Sequence, residues 1–193
     1  QGIVVHQSFM SLLSCSGVPA EVFKQAFYHW LRFGVEEARE PFPDVPPGVG
    51  RDSACGLLFS SVRLMLTEPF SCGRVRQLWE EAVAQDPDLT EWVVQRMAFV
   101  CEKRWHLRAA VCCLGWLSRR GSLTNAQQMT YALLLLEAGR WAAARAISAR
   151  REPLTPEDEW RAVFLNHMAG DRKEESLRAA AREWLKEHPG ARS

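Results

Sequence analysis

The chain has 193 residues, of which 47% are hydrophobic and 24% are charged, a composition that fits one or two globular domains with a substantial core. Its formal net charge of +1 is close to neutral, so nothing in the charge balance indicates nucleic acid as a partner. The longest apolar runs are shorter than the roughly 20 residues that cross a bilayer, so we expect no membrane partner.

Residues 1–40 are predicted to form a separate helical hairpin. The first stretch, GIVVHQSFMSLLSCSG, lacks a basic start and is interrupted by polar residues, so an amphipathic helix is favoured over a targeting segment. The apolar face of the second helix is made up of Val22, Phe23, Phe27, Trp30, Leu31 and Phe33. Residues 41–50 contain four prolines and two glycines, which cannot continue a helix, and are predicted to be a linker.

Helical periodicity continues through residues 51–193, the predicted third segment, and no part of the chain alternates as β-strands do. Glycine and proline clusters separate pieces of about 12–20 residues, the usual length of globular helices. The pattern therefore predicts about nine helices along the chain, arranged as antiparallel neighbours through short turns.

Prolines in this third segment recur at regular intervals. Pro87, Pro156 and Pro189 stand 69 and 33 residues apart, close to multiples of the tetratricopeptide period of about 34 residues. That repeat is a pair of helices with small residues where the helices touch and a glycine in the turn. The predicted fold is therefore all-α, with antiparallel helical hairpins in a tetratricopeptide-like right-handed array and an extra hairpin at the N-terminus.

The stretch LLLLEAGRWAAARAI lies in the middle of one predicted repeat, residues 125–156. It fits either one buried helix or two helices that bend back at Gly139. The repeat phase favours two helices, because Ala132 and Ala144 then fall at the close-packing positions. Further repeats are predicted at about 90–121 and after Pro156, with a degenerate one at 54–87.

The sequence contains no recognisable catalytic motif. The five histidines are scattered, and paired carboxylates such as Glu80 and Glu81 are adjacent, so their side chains diverge on a helix. Cys101 and His106 are five residues apart and do not share a helix face. We therefore expect no catalytic residues, no metal ligands, no cofactor and no enzymatic activity.

Six cysteines are present, and none forms a C-x-x-C pair. Cys112 and Cys113 lie in an apolar helical stretch, where free cysteines behave as small hydrophobic residues. Disulfide frameworks are typical of smaller secreted chains. The sequence therefore predicts reduced cysteines and a cytoplasmic protein.

The first helix of each repeat is expected to line the concave side of the array. Its apolar side chains would leave an open groove for a partner's helix. The predicted groove residues are Val94, Ala98, Cys101, Met129, Leu133, Leu136, Trp160, Phe164, His167 and Met168. The eight tryptophans recur at repeat-like positions, which fits either packing between hairpins or anchoring of a partner.

Residues from about 104 to 189 resemble the tetratricopeptide chaperones of type III secretion needle subunits. The similar segments are WHLRAAVCCLGWLSRRG, YALLLLEAGRWAAARAI and EWRAVFLNHMAGD. The resemblance implies a cytoplasmic chaperone that holds the amphipathic helix of a needle subunit in its groove, often with a small helical co-chaperone. It also implies a packing framework, rather than ligand contacts, for Trp116, Gly121, Gly139, Trp141, Trp160 and Gly170.

Three classes of function follow from these observations. The favoured class is a non-enzymatic, chaperone-like binding module that holds a partner's amphipathic helix. The alternative is a scaffold or regulatory subunit of a larger assembly, whose groove is filled by a fixed neighbour or by the N-terminal hairpin. An enzyme with an unrecognised site is the least favoured class.

Overall fold

The computed structural model of the protein describes residues 1–15, 17–38, 42–67, 69–149, 155–170 and 174–187. Within these ranges the chain forms ten α-helices and one short 3-10 helix, and it forms no β-strand. The α-helices, numbered α1 to α10, span Gly2–Leu13, Ala20–Phe33, Ala54–Leu66, Cys72–Val83, Pro87–Lys103, Leu107–Arg120, Asn125–Glu137, Trp141–Ser148, Pro156–Gly170 and Glu174–Glu187, and the 3-10 helix covers Val35–Glu37. The predicted all-α fold is confirmed.

Short polar signals in the sequence explain where several helices begin. Helix α5 begins at Pro87 behind Asp86, whose side chain accepts a hydrogen bond from the Leu89 amide. Helix α7 follows a capping box in which the side chains of Thr124 and Gln127 each bond to the other's backbone amide. Such caps pair amides that the helix itself leaves without partners, so the chain marks these starts locally.

Neighbouring helices pack in pairs, with α1 against α2, α3 against α4, α7 against α8 and α9 against α10. The pair α7 and α8 lies within the repeat predicted at residues 125–156 and turns at Gly139, as expected. Ala132 and Ala144, the predicted close-packing residues, are both fully buried. These hairpins agree with the predicted helical-hairpin array.

The chain divides into two compact units, Gln1–Leu117 and Ser118–Ser193. This differs from the division expected from the sequence, in which residues 1–40 stood apart behind a linker. The rings of Phe9, Phe23 and Phe27 all contact Phe59 of α3, with centroids 5.4–6.1 Å apart. The N-terminal hairpin therefore shares one aromatic core with the helices that follow it.

The proline-rich segment is part of that core where the structure describes it, from residue 42 onward. Phe42, Val45 and Val49 are buried, with exposed fractions of 4–7%. The ring of Phe42 meets Trp30 of α2 edge to face, with centroids 5.2 Å apart. The prolines prevent a helix here, as predicted, but the apolar residues between them pack against α2.

Helix α6 attaches to α4 through two tryptophans and a disulfide. Trp116 contacts Trp79 at 5.8 Å between centroids, and its indole nitrogen donates to Glu80 at 2.7 Å. Cys112 forms a disulfide with Cys72, at the first residue of α4, with 6.0 Å between their Cα atoms. The expectation that Cys112 is reduced was therefore wrong, because packing α6 on α4 brings two distant cysteines within bonding range.

Replacing Gly139 with alanine is expected to lower the free energy of unfolding by about 1–2 kcal/mol. Gly139 has a φ of 71° and sits where the Arg140 amide bonds back to the Leu135 carbonyl at 2.8 Å, the glycine-dependent end of a helix. An added Cβ would meet no atom closer than 4.0 Å, so the cost is backbone strain alone. Urea denaturation followed by circular dichroism measures this change in the free energy of unfolding.

Gly73→Ala is the matched control for this change. Gly73 lies within α4, its φ is not positive, and an added Cβ would meet nothing within 4 Å. The same methyl group should therefore be neutral or stabilise the protein by up to about 1 kcal/mol. Equal effects of the two substitutions would contradict the turn at Gly139.

Candidate functional site

The predicted groove residues of the first unit all lie on α5, and all are enclosed. Val94, Ala98 and Cys101 have exposed fractions of 0%, 3% and 0%. Helices α2, α3 and α4 each pack against α5, and Cys113 of α6 forms a hydrogen bond with Cys101, so the face that the repeat phase had placed on an open side is enclosed. These three residues contribute to the core in this structure and do not offer a surface to a partner.

The predicted groove residues of the second unit are more accessible. On α7, Met129 is buried, with 4% exposed, while Leu133 and Leu136 are half-buried. On α9, Trp160, Phe164, His167 and Met168 are all half-buried. Seven of the ten predicted residues therefore belong to this unit, and six of them are partly open to solvent.

Helices α7 and α9 contact each other directly, although α8 lies between them in the chain. This is the neighbour relation expected of the first helices of successive hairpin repeats. Leu133 and Leu136 are three residues apart, and Trp160 and Phe164 are four apart, so each pair shares one face of its helix. We call these four residues together the α7–α9 face.

The α7–α9 face is backed by close packing within the same unit. Trp160 contacts Trp184 of α10, with ring centroids 5.6 Å apart. Ala132 and Leu135 of α7 are buried, with exposed fractions of 0% and 1%, so α7 is anchored by residues next to its half-buried leucines. The face therefore consists of large apolar side chains held on fixed helices.

Two of the buried thiols, those of Cys55 and Cys113, have environments that suppress reactivity. Burial raises the pKa of the Cys113 thiol, and a hydrogen bond with Cys101 raises it further. Burial likewise raises the pKa of Cys55 to about 11. Both thiols are protonated at neutral pH, and the nucleophile in cysteine chemistry is the thiolate.

The described residues contain no cluster of three or more histidine, cysteine, aspartate or glutamate side chains that could hold a metal ion. Within the same residues, no helix combines the length and apolar character needed to cross a membrane.

A second apolar surface, on the first unit, was not predicted. Phe33 of α2 and both Trp92 and Phe99 of α5 expose 43%, 38% and 43% of their surface. An open cavity of about 480 Å³ lies beside Phe33 and Trp92. Its lining residues are Tyr28, His29, Arg32, Phe33, Leu89 and Trp92.

The sequence contained a signal for this surface that went unused. Phe33 was counted with Val22 in one apolar face of α2, but the buried residues of that helix are Phe23, Phe27, Trp30 and Leu31. Val22 and Phe33 are 11 residues apart, which is three helical turns, and they form a second stripe. When one apolar stripe of a helix packs against its neighbours, a second stripe stays exposed.

Comparison with protein-family models, curated proteins and solved structures finds nothing that matches this chain. The function is therefore argued from its own residues.

Proposed function

We propose that the protein is a non-enzymatic binding module that holds an amphipathic helix of a partner protein against the α7–α9 face. The observation that supports this most is the set of half-buried leucines and aromatic residues on two helices that touch each other. Apolar side chains spaced along adjacent helices match the three- and four-residue spacing of anchors on an amphipathic helix.

The energetics of such an interaction are sufficient. Burying about 1,000 Å² of apolar surface at about 25 cal/mol per Å² yields a gross gain of order 25 kcal/mol. Ordering and association costs offset most of this gain. The remainder is enough for micromolar or tighter binding without any covalent chemistry.

The finer form of the proposal is a cytoplasmic chaperone for a type III secretion needle subunit, acting alone or with a small helical co-chaperone. It rests on the resemblance of residues 104–189. Gly139, which the resemblance assigns to the packing framework, forms the α7–α8 turn. Ala132 and Ala144, which the repeat phase places at the close-packing positions, are buried. The proposed contact surface is smaller than the sequence suggested, since the α5 residues are enclosed.

Leu133→Asp is expected to weaken binding of the partner helix by at least about tenfold. The substitution removes a leucine worth roughly 1.5–3 kcal/mol on burial and places a carboxylate in an apolar contact. Because Leu133 is half-buried, the free protein should keep its helical circular dichroism. Binding can be measured by fluorescence anisotropy with a labelled C-terminal helix of a needle subunit, and by capture of a partner from cells of the native organism.

Ala142→Asp is the matched control, because Ala142 is exposed at the start of α8, where an acidic residue suits the helix dipole. It should bind the partner as the wild type does. Loss of helical signal in Leu133→Asp would place Leu133 in the core, and unchanged binding would exclude the α7–α9 face. A protein of fixed oligomeric size that captures no helix would favour the scaffold alternative.

A further inference from the structure

Aromatic and apolar side chains line most of the cavity on the first unit. Tyr28 and Trp92 meet edge to face, with centroids 5.7 Å apart, which joins α2 to α5. Leu89 lies below them, with 9% exposed. His29 and Phe33 contact each other at 5.0 Å along α2. At about 480 Å³ the cavity is large enough for one or two bulky side chains of a partner.

Hydrogen bonds and salt bridges hold the two helices of this surface together. The guanidinium of Arg96 donates to the carbonyls of Leu31 and Arg32 at 2.8 and 3.1 Å, which caps the end of α2. It also donates to Glu36 at 3.0 Å, and the ammonium of Lys103 reaches the other oxygen of that carboxylate at 3.3 Å. These contacts fix α2 relative to α5, so the exposed aromatic side chains stand on rigid helices.

Basic side chains lie against the rings of Phe33 and Phe99, whereas the carboxylates of Glu21 and Asp86 act on Tyr28. Arg32 is exposed, with its guanidinium carbon 5.3 Å from the centre of the Phe33 ring. Arg96 and Lys103 approach the Phe99 ring at 5.2 and 4.6 Å. They share one carboxylate, Glu36, so one positive charge there is not neutralised by that carboxylate. Among the described residues that line the cavity, Arg32 carries a positive charge and none is acidic.

The exposed aromatic side chains also have a helical spacing. Trp92 and Phe99 are seven residues apart on α5, which is two turns or about 10 Å. Two apolar side chains of a partner helix at positions i and i+7 span the same distance. Carboxylates beside those positions would face Arg32 of the cavity lining and Lys103 beside Phe99.

We propose that this surface, formed by Tyr28, Arg32, Phe33, Trp92 and Phe99, is a second docking site, which takes an acidic amphipathic helix of another protein. Apolar side chains of that helix enter the cavity beside Trp92 and cover Phe99, while its carboxylates pair with the arginine and lysine side chains. Electrostatic complementarity of this kind governs which partner binds and how fast. The site lies in a different unit from the α7–α9 face, so the two proposals stand independently.

The test uses two labelled helical peptides of about four turns with the same apolar residues at i and i+7. One carries glutamates beside the apolar positions and the other carries lysines. Fluorescence anisotropy with the full-length protein should show that the glutamate peptide binds at least about tenfold more tightly. Equal binding of the two peptides would overturn the proposal, because it would reduce the surface to an unselective apolar patch.

Variants then locate the interaction. Arg32→Glu and Phe99→Ser should each weaken binding of the glutamate peptide by about tenfold. Arg74→Glu, an exposed arginine of α4, makes the same charge change elsewhere and should leave binding unchanged. An equal loss in Arg74→Glu would overturn the proposal in favour of a net-charge effect.

Two further measurements separate other occupants of the surface. Leu133→Asp should bind the glutamate peptide as the wild type does, and a loss there would assign the peptide to the α7–α9 face instead. Sedimentation velocity of the wild type and Phe33→Ser should show the same oligomeric state. Self-association that Phe33→Ser abolishes, or tight binding to phosphatidylserine vesicles without peptide binding, would overturn the proposal in favour of a second copy or a membrane surface.

Discussion

Trp30→Ala is expected to lower the free energy of unfolding by about 3–5 kcal/mol, measured by urea denaturation with circular dichroism. The Trp30 side chain is fully buried and stacks on Phe9 of α1 with centroids 4.8 Å apart. It also contacts Phe42 at 5.2 Å, and its indole nitrogen donates to Nδ1 of His6 at 3.1 Å. The substitution leaves a large cavity where α1, α2 and the proline-rich segment meet.

Trp105→Ala removes the same side chain from an exposed position and serves as the control. Trp105 is 80% exposed, so its loss should change the free energy of unfolding by no more than about 0.5 kcal/mol. Similar losses in the two variants would mean that Trp30 is not the centre of a shared core. If Trp30→Ala lowered the free energy of unfolding only slightly, the N-terminal hairpin would be dispensable for stability.

Reduction of the Cys72–Cys112 disulfide is expected to lower the free energy of unfolding by about 2–4 kcal/mol. The two cysteines are 40 residues apart in the chain, so the bond removes a large part of the freedom of the unfolded state. Denaturation with and without dithiothreitol measures the difference. The double variant Cys72→Ala with Cys112→Ala should not respond to dithiothreitol.

Thiol titration checks the pairing directly. Without reductant, Ellman's reagent should find one reactive thiol in the native protein, because Cys15 is exposed while the three other free cysteines are buried. Denaturation should raise the count to the four free cysteines, and reduction should raise it to all six. If six thiols react in the denatured protein without reductant, Cys72 and Cys112 are not bonded, and the cysteines are reduced as the sequence had suggested.

The sequence predicted those features of the fold that depend on residues close together in the chain. The turn at Gly139 was predicted from the glycine there. Asp86 and Pro87 mark the start of α5 in the same local way, although the repeat was expected to begin only at about residue 90. One boundary between two helices was missed because no such local signal marks it. Helices α5 and α6 part at Trp105, which has a φ of 58°, and no glycine or proline marks the position. A left-handed residue of this kind is rare for a bulky side chain.

The candidate sites could be predicted only in part. The leucines of the α7–α9 face were found because helical spacing shows which residues share a face. Val94 was placed on an open groove because its spacing fitted the repeat, whereas Phe33 was counted in the same apolar face as the residues of α2 that are buried. Both placements were wrong, since spacing cannot show which of two apolar stripes another helix will cover.

The sequence by itself determined that the chain is helical, where most helices begin and end, and which small residues allow two helices to approach closely. Only the tertiary structure decided that the N-terminal hairpin covers α5, that Phe33 and Trp92 stay exposed, and that Cys72 meets Cys112. Helix formation follows from contacts three and four residues apart. The covering of one helix by another depends on side chains that are tens of residues apart in the chain, whose pairing no local pattern specifies.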